Sequence, residues 1–482
     1  MAMPRPRFSI LLFVLLGLLS GVYAQTLSRP QLKTALDKLT GSSLVKNASV
    51  AISIYDPMDK SSIYEYHSTT SMIPASVQKI YTAVTSMEVL GLDYRFQTHI
   101  GYSGEVVDGV LKGNLIIRGG GDPSWVEEIY PDGPHKVFEA WADSLKAHGI
   151  TSIDGDLVAD LSLYPTQVYL GQWVSEDKPY NYAPSISALS FNANTIRYDM
   201  LPASSAGKPV IISPRFGYEY FYWKNQAKTT KKGGGTSVWL QTAADSRNIV
   251  FKGSVAIGSD DYLKPAVRDP AGFTLKIIAE TLKASGIGIS GNNIVQDKLS
   301  APLEAIPLFT YYSVELTKIL AVMLKTSSNM IAEALLCTLG GSAEGGSKHV
   351  SALLKELGFP EDKVAVKDGS GLARSNQITS AQLCALLCHA HDQEWFPTFV
   401  SSLAMPGENG TLKKRFKGNS GEPRVFAKTG TMKGVSCLAG YVRAADDQLY
   451  AFVILCNKVS SVANARKWQE SICNLLMQYN GQ

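Results

Sequence analysis

Beyond its first two dozen residues, this chain of 482 residues has no apolar stretch approaching the ~20 residues that a membrane-spanning helix needs. Its seven histidines include no His-x-x-x-His pair, and His389 and His391 fall on different sides of any helix that carries them. The six cysteines form no metal-ligating array. Neither a metal nor another cofactor is therefore expected. The chain also lacks a dominant charge: 46 Lys and Arg stand against 42 Asp and Glu. The two signs are interspersed, which argues against the basic footprint of a nucleic-acid-binding protein.

What is present begins with Arg5 and Arg7, the apolar run "FSILLFVLLGLL" and "VYA" ending at Ala24. This is the layout of a secretory signal, short for a membrane anchor, so residues 1–24 are expected to be removed and the remainder exported to the periplasm or cell envelope. In an exported chain disulfides are permitted. Yet Cys337, Cys384, Cys388 and Cys473 fall in helical patterns and Cys437 and Cys456 in strand-like ones, where they read as small core residues. The basic segment "KNQAKTTKKGGG" at 224–235 reads as a solvated loop, or alternatively as a contact with an anionic envelope polymer. Such a contact, or another peripheral one, is the only envelope association expected. The sequence leaves the oligomeric state open.

The length suits two or three domains. A helix ("RPQLKTALDKLTG"), two strands ("ASVAISIYD", "SSIYEYHS") and a helix near Ser76 open the chain. Three strands ("RVFAKTGT", "SCLAGYVRA", "QLYAFVILCNK") and a helix from Ala465 to Tyr479 close it. This order predicts an α+β fold, with a five-stranded antiparallel sheet flanked by helices and the termini side by side. Residues 25–97 and 301–482 would form that domain. Residues 98–300, rich in Gly, Asp and short strands, would be one or two inserted accessory domains that shape access to a site. Within them "WADSLKAHGITSIDGDLVAD" (141–160) is echoed by "IAETLKASGIGISGNNIVQD" (278–297), a supersecondary unit used twice.

Two Ser-x-x-Lys pairs compete for attention. At the start of a helix, Ser76 and Lys79 share a face, so the amine reaches the hydroxyl. Pro74 suits a helix start, the apolar residues Ile80, Ala83, Val84, Met87 and Leu90 recur at helical spacing, and Gly91 is a stop. The positive end of a helix favours an alkoxide and any oxyanion formed beside it. Ser43 and Lys46 precede a strand instead, with no helix to hold the lysine. Alone, such a pair is usually solvated and inert. Downstream, Ser327-Ser328-Asn329 lies between two apolar-periodic segments, whereas the Ser-x-Asn runs at Ser190, Ser246 and Ser290 lie in the inserted region. Lys428-Thr429-Gly430, followed by Thr431, occurs once, at the end of a strand. By itself Lys428 could be an edge lysine and Gly430 a turn residue, although a glycine also allows close approach by a ligand.

The order Ser-x-x-Lys, Ser-x-Asn, Lys-Thr-Gly is that of penicillin-binding proteins and class A β-lactamases. The chain resembles more closely the penicillin-binding protein 4 type D-alanyl-D-alanine carboxypeptidase/endopeptidase family. "PASVQK" (74–79), "SSNMIAE" (327–333), "DGSGLAR" (368–374), "NGTL" (409–412) and "AKTGT" (427–431) carry the resemblance, with "GGGDP" (119–123) and "LSFNAN" (189–194) in the insertion. It departs from the family pattern at Tyr312 before Ser313, at Ser328 and at Ala373, which bears on substrate preference. The resemblance implies a β-lactamase/transpeptidase-like fold and a serine D,D-peptidase acting on peptidoglycan stem peptides and acylated by β-lactams. It implies Ser76 as nucleophile and Lys79 as its base, the pKa of Lys79 lowered by desolvation and by a neighbouring positive charge for which Lys428 is the candidate. Ser327 would relay a proton to the leaving amine, and Asn329 would orient Lys79 and the substrate. The backbone N–H groups of Ser76 and Thr431 would form the oxyanion hole, and Lys428, Thr429 and Thr431 would hold the substrate carboxylate beside Gly430. The alternatives are a silent peptidoglycan-binding or β-lactam-sensing protein and a β-lactamase.

Overall fold

The computed structural model describes residues 26–167, 173–243, 246–297, 301–359, 365–417 and 424–481. The expected secretory segment 1–24 lies outside them. Five antiparallel strands form the sheet that carries the site, in the order Val425–Met432, Val435–Arg443, Leu449–Asn457, Ser49–Tyr55, Ser62–Tyr66. The two ends of the chain meet inside this sheet, where Ser49 pairs with Asn457 and Tyr55 with Ala451. The strand Leu449–Asn457 is apolar along nearly its whole length because helices cover both faces of the sheet.

On one face, Ile52, Ile54, Leu438 and Ile454 pack against Leu32 and Leu36 of the helix Arg29–Thr40 and Trp468 and Ile472 of the helix Val462–Leu476. The Trp468 indole donates to the Leu39 carbonyl at 2.7 Å, joining the first helix to the last. The closing helix starts three residues earlier than expected because Ser461 caps it by accepting from the Asn464 N–H. On the other face, Ala51, Ala439 and Val453 belong to the same core as the helices Lys79–Leu90 and Ser380–His391. All six cysteines are buried and unpaired. Among the described residues no helix is long and apolar enough to cross a membrane.

The chain leaves this sheet and its helices through the strand Gln97–Tyr102 and returns through its antiparallel neighbour Ile306–Tyr312. Between them, the two echoed sequences lie side by side. Gly288–Ile289 runs parallel to Ser152–Asp154, and Asn293–Gln296 runs parallel to Leu157–Asp160. The segment read as a solvated loop is otherwise. Tyr222–Asn225 and Lys228–Thr230 are strands, both parallel to Asn248–Ala256, and only the residues after Thr230 form a turn. Composition misled there. Ala227 and Thr229 are buried between exposed lysines, so alternation rather than polarity decided the conformation.

Candidate active site

Ala75–Gln78 forms a single 3₁₀ turn that runs into the helix Lys79–Leu90, and Ala75 takes a left-handed φ of 48°. This turn sets Ser76 at the helix entrance and Lys79 one turn on, completely buried. The Lys79 Nζ lies 3.0 Å from Ser76 Oγ, 2.6 Å from Asn329 Oδ1 and 2.7 Å from the Ser370 carbonyl. Burial lowers its pKa to about 7, against the opposing pull of the Glu333 and Asp368 carboxyls. Desolvation, the first of the two expected causes, is therefore what brings this amine within reach of its neutral form.

Ser327 follows the helix Leu316–Thr326 in a left-handed conformation, φ 63°, and Ser328 caps the next helix, Asn329–Gly340. A non-glycine residue held there is strained, and the strain lifts the Ser327 hydroxyl towards the sheet. It accepts from Lys428 Nζ at 2.8 Å. Lys428 is also fully buried, and its other contact is the Thr429 carbonyl at 2.7 Å. Burial and the neighbouring Lys79 hold its pKa well below the usual lysine range. The departure at position 328 thus supplies a helix cap.

Gly430 serves packing. A Cβ there would come within 2.7 Å of the Pro74 carbonyl and 3.0 Å of the Ser76 nitrogen. The close approach the glycine allows is that of the serine turn itself, where a ligand had been considered. Gly430→Ala should therefore push strand and turn apart and slow acylation of Ser76 about tenfold or more. Stopped-flow acylation by a chromogenic β-lactam measures this, and an unchanged rate would show that the strand yields without moving the serine.

Strand alternation turns Thr429 and Thr431 to the side opposite Lys428 and Gly430. Thr429 Oγ1 donates to Thr411 Oγ1 at 2.8 Å, and Thr431 Oγ1 accepts from Arg466 at 3.4 Å. The structure thus gathers Ser76, Lys79, Ser327, Asn329 and Lys428 through direct contacts, with the Gly430 backbone against Ser76. The two threonine hydroxyls point elsewhere. Ser43 and Lys46 are both exposed, and the pocket they line with His67 is open and holds neither group. That pocket has no counterpart of the buried amine.

Several residues around Lys79 escaped sequence reasoning. Glu333, one turn after Asn329, is fully buried and accepts from the Gly369 and Ser370 N–H groups at 2.9 and 2.8 Å. Burial and the nearby Asp368 raise its pKa to about 8. Asp368 accepts from the N–H groups of Gly371 and Ala373, from Asn376 and from the Trp173 indole at 3.0 Å. Ala373 contributes through its backbone, so the missing hydroxyl at that position costs none of these bonds. Together they fix the loop whose Ser370 carbonyl touches Lys79. The signal for Glu333 was a lone acid four residues after Asn329 in an otherwise apolar run. Trp173 and Tyr182 gave none. Asn329 Nδ2 donates to the Tyr182 carbonyl at 2.6 Å, so Trp173 and Tyr182, both from the segment between the strands Gln97–Tyr102 and Ile306–Tyr312, hold two groups of the site.

The arrangement is a hydroxyl at a helix entrance with a buried amine of lowered pKa against it. It suits acyl transfer through a serine ester. Residues 32–479 match the sequence model of the D-Ala-D-Ala carboxypeptidase 3 (S13) family. The D-alanyl-D-alanine carboxypeptidase of Actinomadura sp. (strain R39) is 29% identical over 475 residues, covering 94% of this chain and 85% of its own. Among solved structures, penicillin binding protein 4 (dacB) of Haemophilus influenzae superposes with a TM-score of 0.78 at 24% identity, covering 92% of this chain and 99% of its own. The same protein complexed with a β-lactam gives 0.72 at 23% identity, with the same coverage.

Proposed function

The chain belongs to the D-Ala-D-Ala carboxypeptidase 3 (S13) family and is a serine D,D-peptidase of the penicillin-binding protein 4 type, and from that premise we propose that Ser76 is the residue acylated by the penultimate D-alanine of a peptidoglycan stem peptide. The observation that carries this is the Lys79 amine, wholly buried, 3.0 Å from Ser76 Oγ and with a pKa near 7. In its neutral form it takes the Ser76 proton as Oγ attacks the D-Ala-D-Ala carbonyl. The Ser76 and Thr431 N–H groups receive the oxyanion. As the C–N bond breaks, the leaving D-alanine nitrogen collects a proton through Ser327, whose hydroxyl is fed by Lys428. The proton held by Lys79 replaces the one that the Lys428–Ser327 pair gave up, so both amines return to their starting state; water then attacks the ester, Lys79 taking its proton and returning one to Ser76 Oγ as the acyl bond breaks. Asn329 holds Lys79 through its carbonyl oxygen. Lys428 receives the carboxylate of the departing residue, with Thr429 and Thr431 lending their strand's backbone more than their hydroxyls.

We further propose that residues 25–97 and 301–482 form the catalytic domain, that 98–300 are accessory, and that the protein acts in the periplasm or cell envelope after loss of residues 1–24. A β-lactam has a carbonyl and carboxylate placed like those of D-Ala-D-Ala and would acylate the same serine. The deciding experiment measures D-alanine release from an N-acetylated stem pentapeptide and monomer release from a cross-linked muropeptide dimer. Release from either, blocked by one equivalent of β-lactam, is expected. Stable β-lactam labelling without release identifies a sensor, and rapid turnover of the β-lactam identifies a β-lactamase.

A further inference from the structure

From the outward face of one sheet in the inserted region we infer a second binding surface, for the peptidoglycan strand itself, outside the serine site. The inference rests on the reading of the protein as a peptidoglycan peptidase. The sheet is built on the strand Asn248–Ala256. Tyr222–Asn225 and Lys228–Thr230 run along one of its edges, and Ser237–Gln241 runs antiparallel along the other. Ile249, Phe251 and Val255 are buried, so the alternate positions of the central strand face solvent. Register then decides which side chains share that face. Trp239 lies opposite Lys252, Tyr222 beside Asn248, Lys224 beside Val250 and Lys228 beside Ser254. The face thus presents two aromatic rings and three lysines, and no carboxylate lies among these register positions. Tyr222 is 65% exposed and Trp239 47%, and the register brings the two rings to one face. The Arg247 guanidinium sits 5.2 Å from the Tyr222 ring centroid, at the margin of the same face.

Charge gathers here too. Residues 206–264 contain nine Lys and Arg against four Asp and Glu, an excess larger than the +4 of the entire chain. Away from this segment the protein carries no positive excess at all. A surface that combines exposed rings with unpaired cations matches a polymer with two features. Its pyranose rings offer flat C–H faces that stack on Tyr and Trp. Its stem peptides carry free carboxylates that the lysines meet. An anionic lipid surface shares the charge but asks for aliphatic side chains projecting from a tip. This face is a sheet surface whose one aliphatic side chain among the paired positions, Val250, is half-buried. Holding the polymer at a second point raises the local concentration of its peptides at Ser76, without altering the chemistry there.

The test is co-sedimentation of the full mature protein with purified, protein-free peptidoglycan sacculi, beside vesicles of phosphatidylglycerol. The variants are Tyr222→Ser with Trp239→Ser, and Lys224→Glu with Lys228→Glu and Lys252→Glu. Each set should weaken binding to sacculi about tenfold or more. The wild-type interaction should weaken as salt is raised, because exposed charges are screened. Release of D-alanine from a small soluble peptide should stay within about twofold of wild type, since none of these side chains contacts the serine cluster. A readout without substitution guards against misfolding: oxidative footprinting should find Trp239 and Tyr222 protected on sacculi. Unchanged sacculus binding by both variants, no protection of the two rings, or equal and equally sensitive binding to vesicles would each overturn the inference. If no form releases D-alanine while sacculus binding is still lost in the variants, the surface stands and the peptidase reading falls.

Discussion

Ser76→Ala should abolish covalent labelling by a fluorescent penicillin and reduce D-alanine release by on the order of 10⁴-fold or more, the scale seen when a nucleophile that acts as one unit with its base is removed. Ser43→Ala should change neither. The contrast rests on environment, since both serines stand three residues before a lysine. Lys46 is exposed to solvent, whereas Lys79 has been stripped of water. The same argument fixes the pH dependence. Lys79 accepts the Ser76 proton only as the free amine, and its pKa is lowered to about 7. Acylation should therefore rise about tenfold per pH unit below neutrality and level off above it, in the direction expected of a base that must first lose a proton. Labelling that persists in Ser76→Ala and disappears in Ser43→Ala would reverse the assignment. An acylation rate that falls as pH rises from 6 to 8 would remove Lys79 as the base.

Lys428→Ala should cost roughly tenfold to a hundredfold in kcat/KM on a substrate with a free terminal carboxylate, the range of one charge-assisted hydrogen bond of ~1.5–3 kcal/mol. On the C-terminal amide of the same peptide the loss should be much smaller. The difference follows from two buried amines placed close together. Burial and Lys79 both disfavour charge on Lys428. An arriving carboxylate supplies a countercharge that favours the ammonium form and is bound by it. The amide offers nothing comparable. Ser327 sharpens the measurement, because Lys428 donates to its hydroxyl at 2.8 Å and its loss could also disturb proton delivery to the leaving amine. That effect would appear equally on acid and amide. Equal losses on both substrates would therefore assign Lys428 to proton delivery and overturn its role as the carboxylate anchor.

How much of this was legible beforehand differs from element to element. The alternation in "ASVAISIYD" and the apolar run "QLYAFVILCNK" marked both halves of the central sheet, because a strand's burial pattern is written locally in its own residues. Ser76 and Lys79 were legible as a pair because a helical turn joins them. The motif order pointed to Ser327, Asn329 and Lys428 without any knowledge of where they meet. The contacts of the Thr429 and Thr431 hydroxyls, with Thr411 and Arg466, were not legible because the motif does not say which way an edge strand turns its side chains. The lysine-rich segment was misread for a related reason, since its buried alternate residues, Ala227 and Thr229, are small and draw no attention.

By itself, then, the sequence determined the order of elements, the five-stranded sheet shared by the two ends of the chain, and the polar residues available for acyl transfer. These are properties of local periodicity and of residue type. Only the tertiary structure decided which of two Ser-x-x-Lys lysines loses its water, because desolvation is produced by everything packed around a group. Around Lys79 that packing comes from residues hundreds of positions away. Asn329 and Ser370 touch its amine, Glu333 and Asp368 hold the loop that carries Ser370, and Trp173 and Tyr182 reach in from the insertion. A pKa is set by that assembled surrounding, and no stretch of chain short enough to read as a motif contains it.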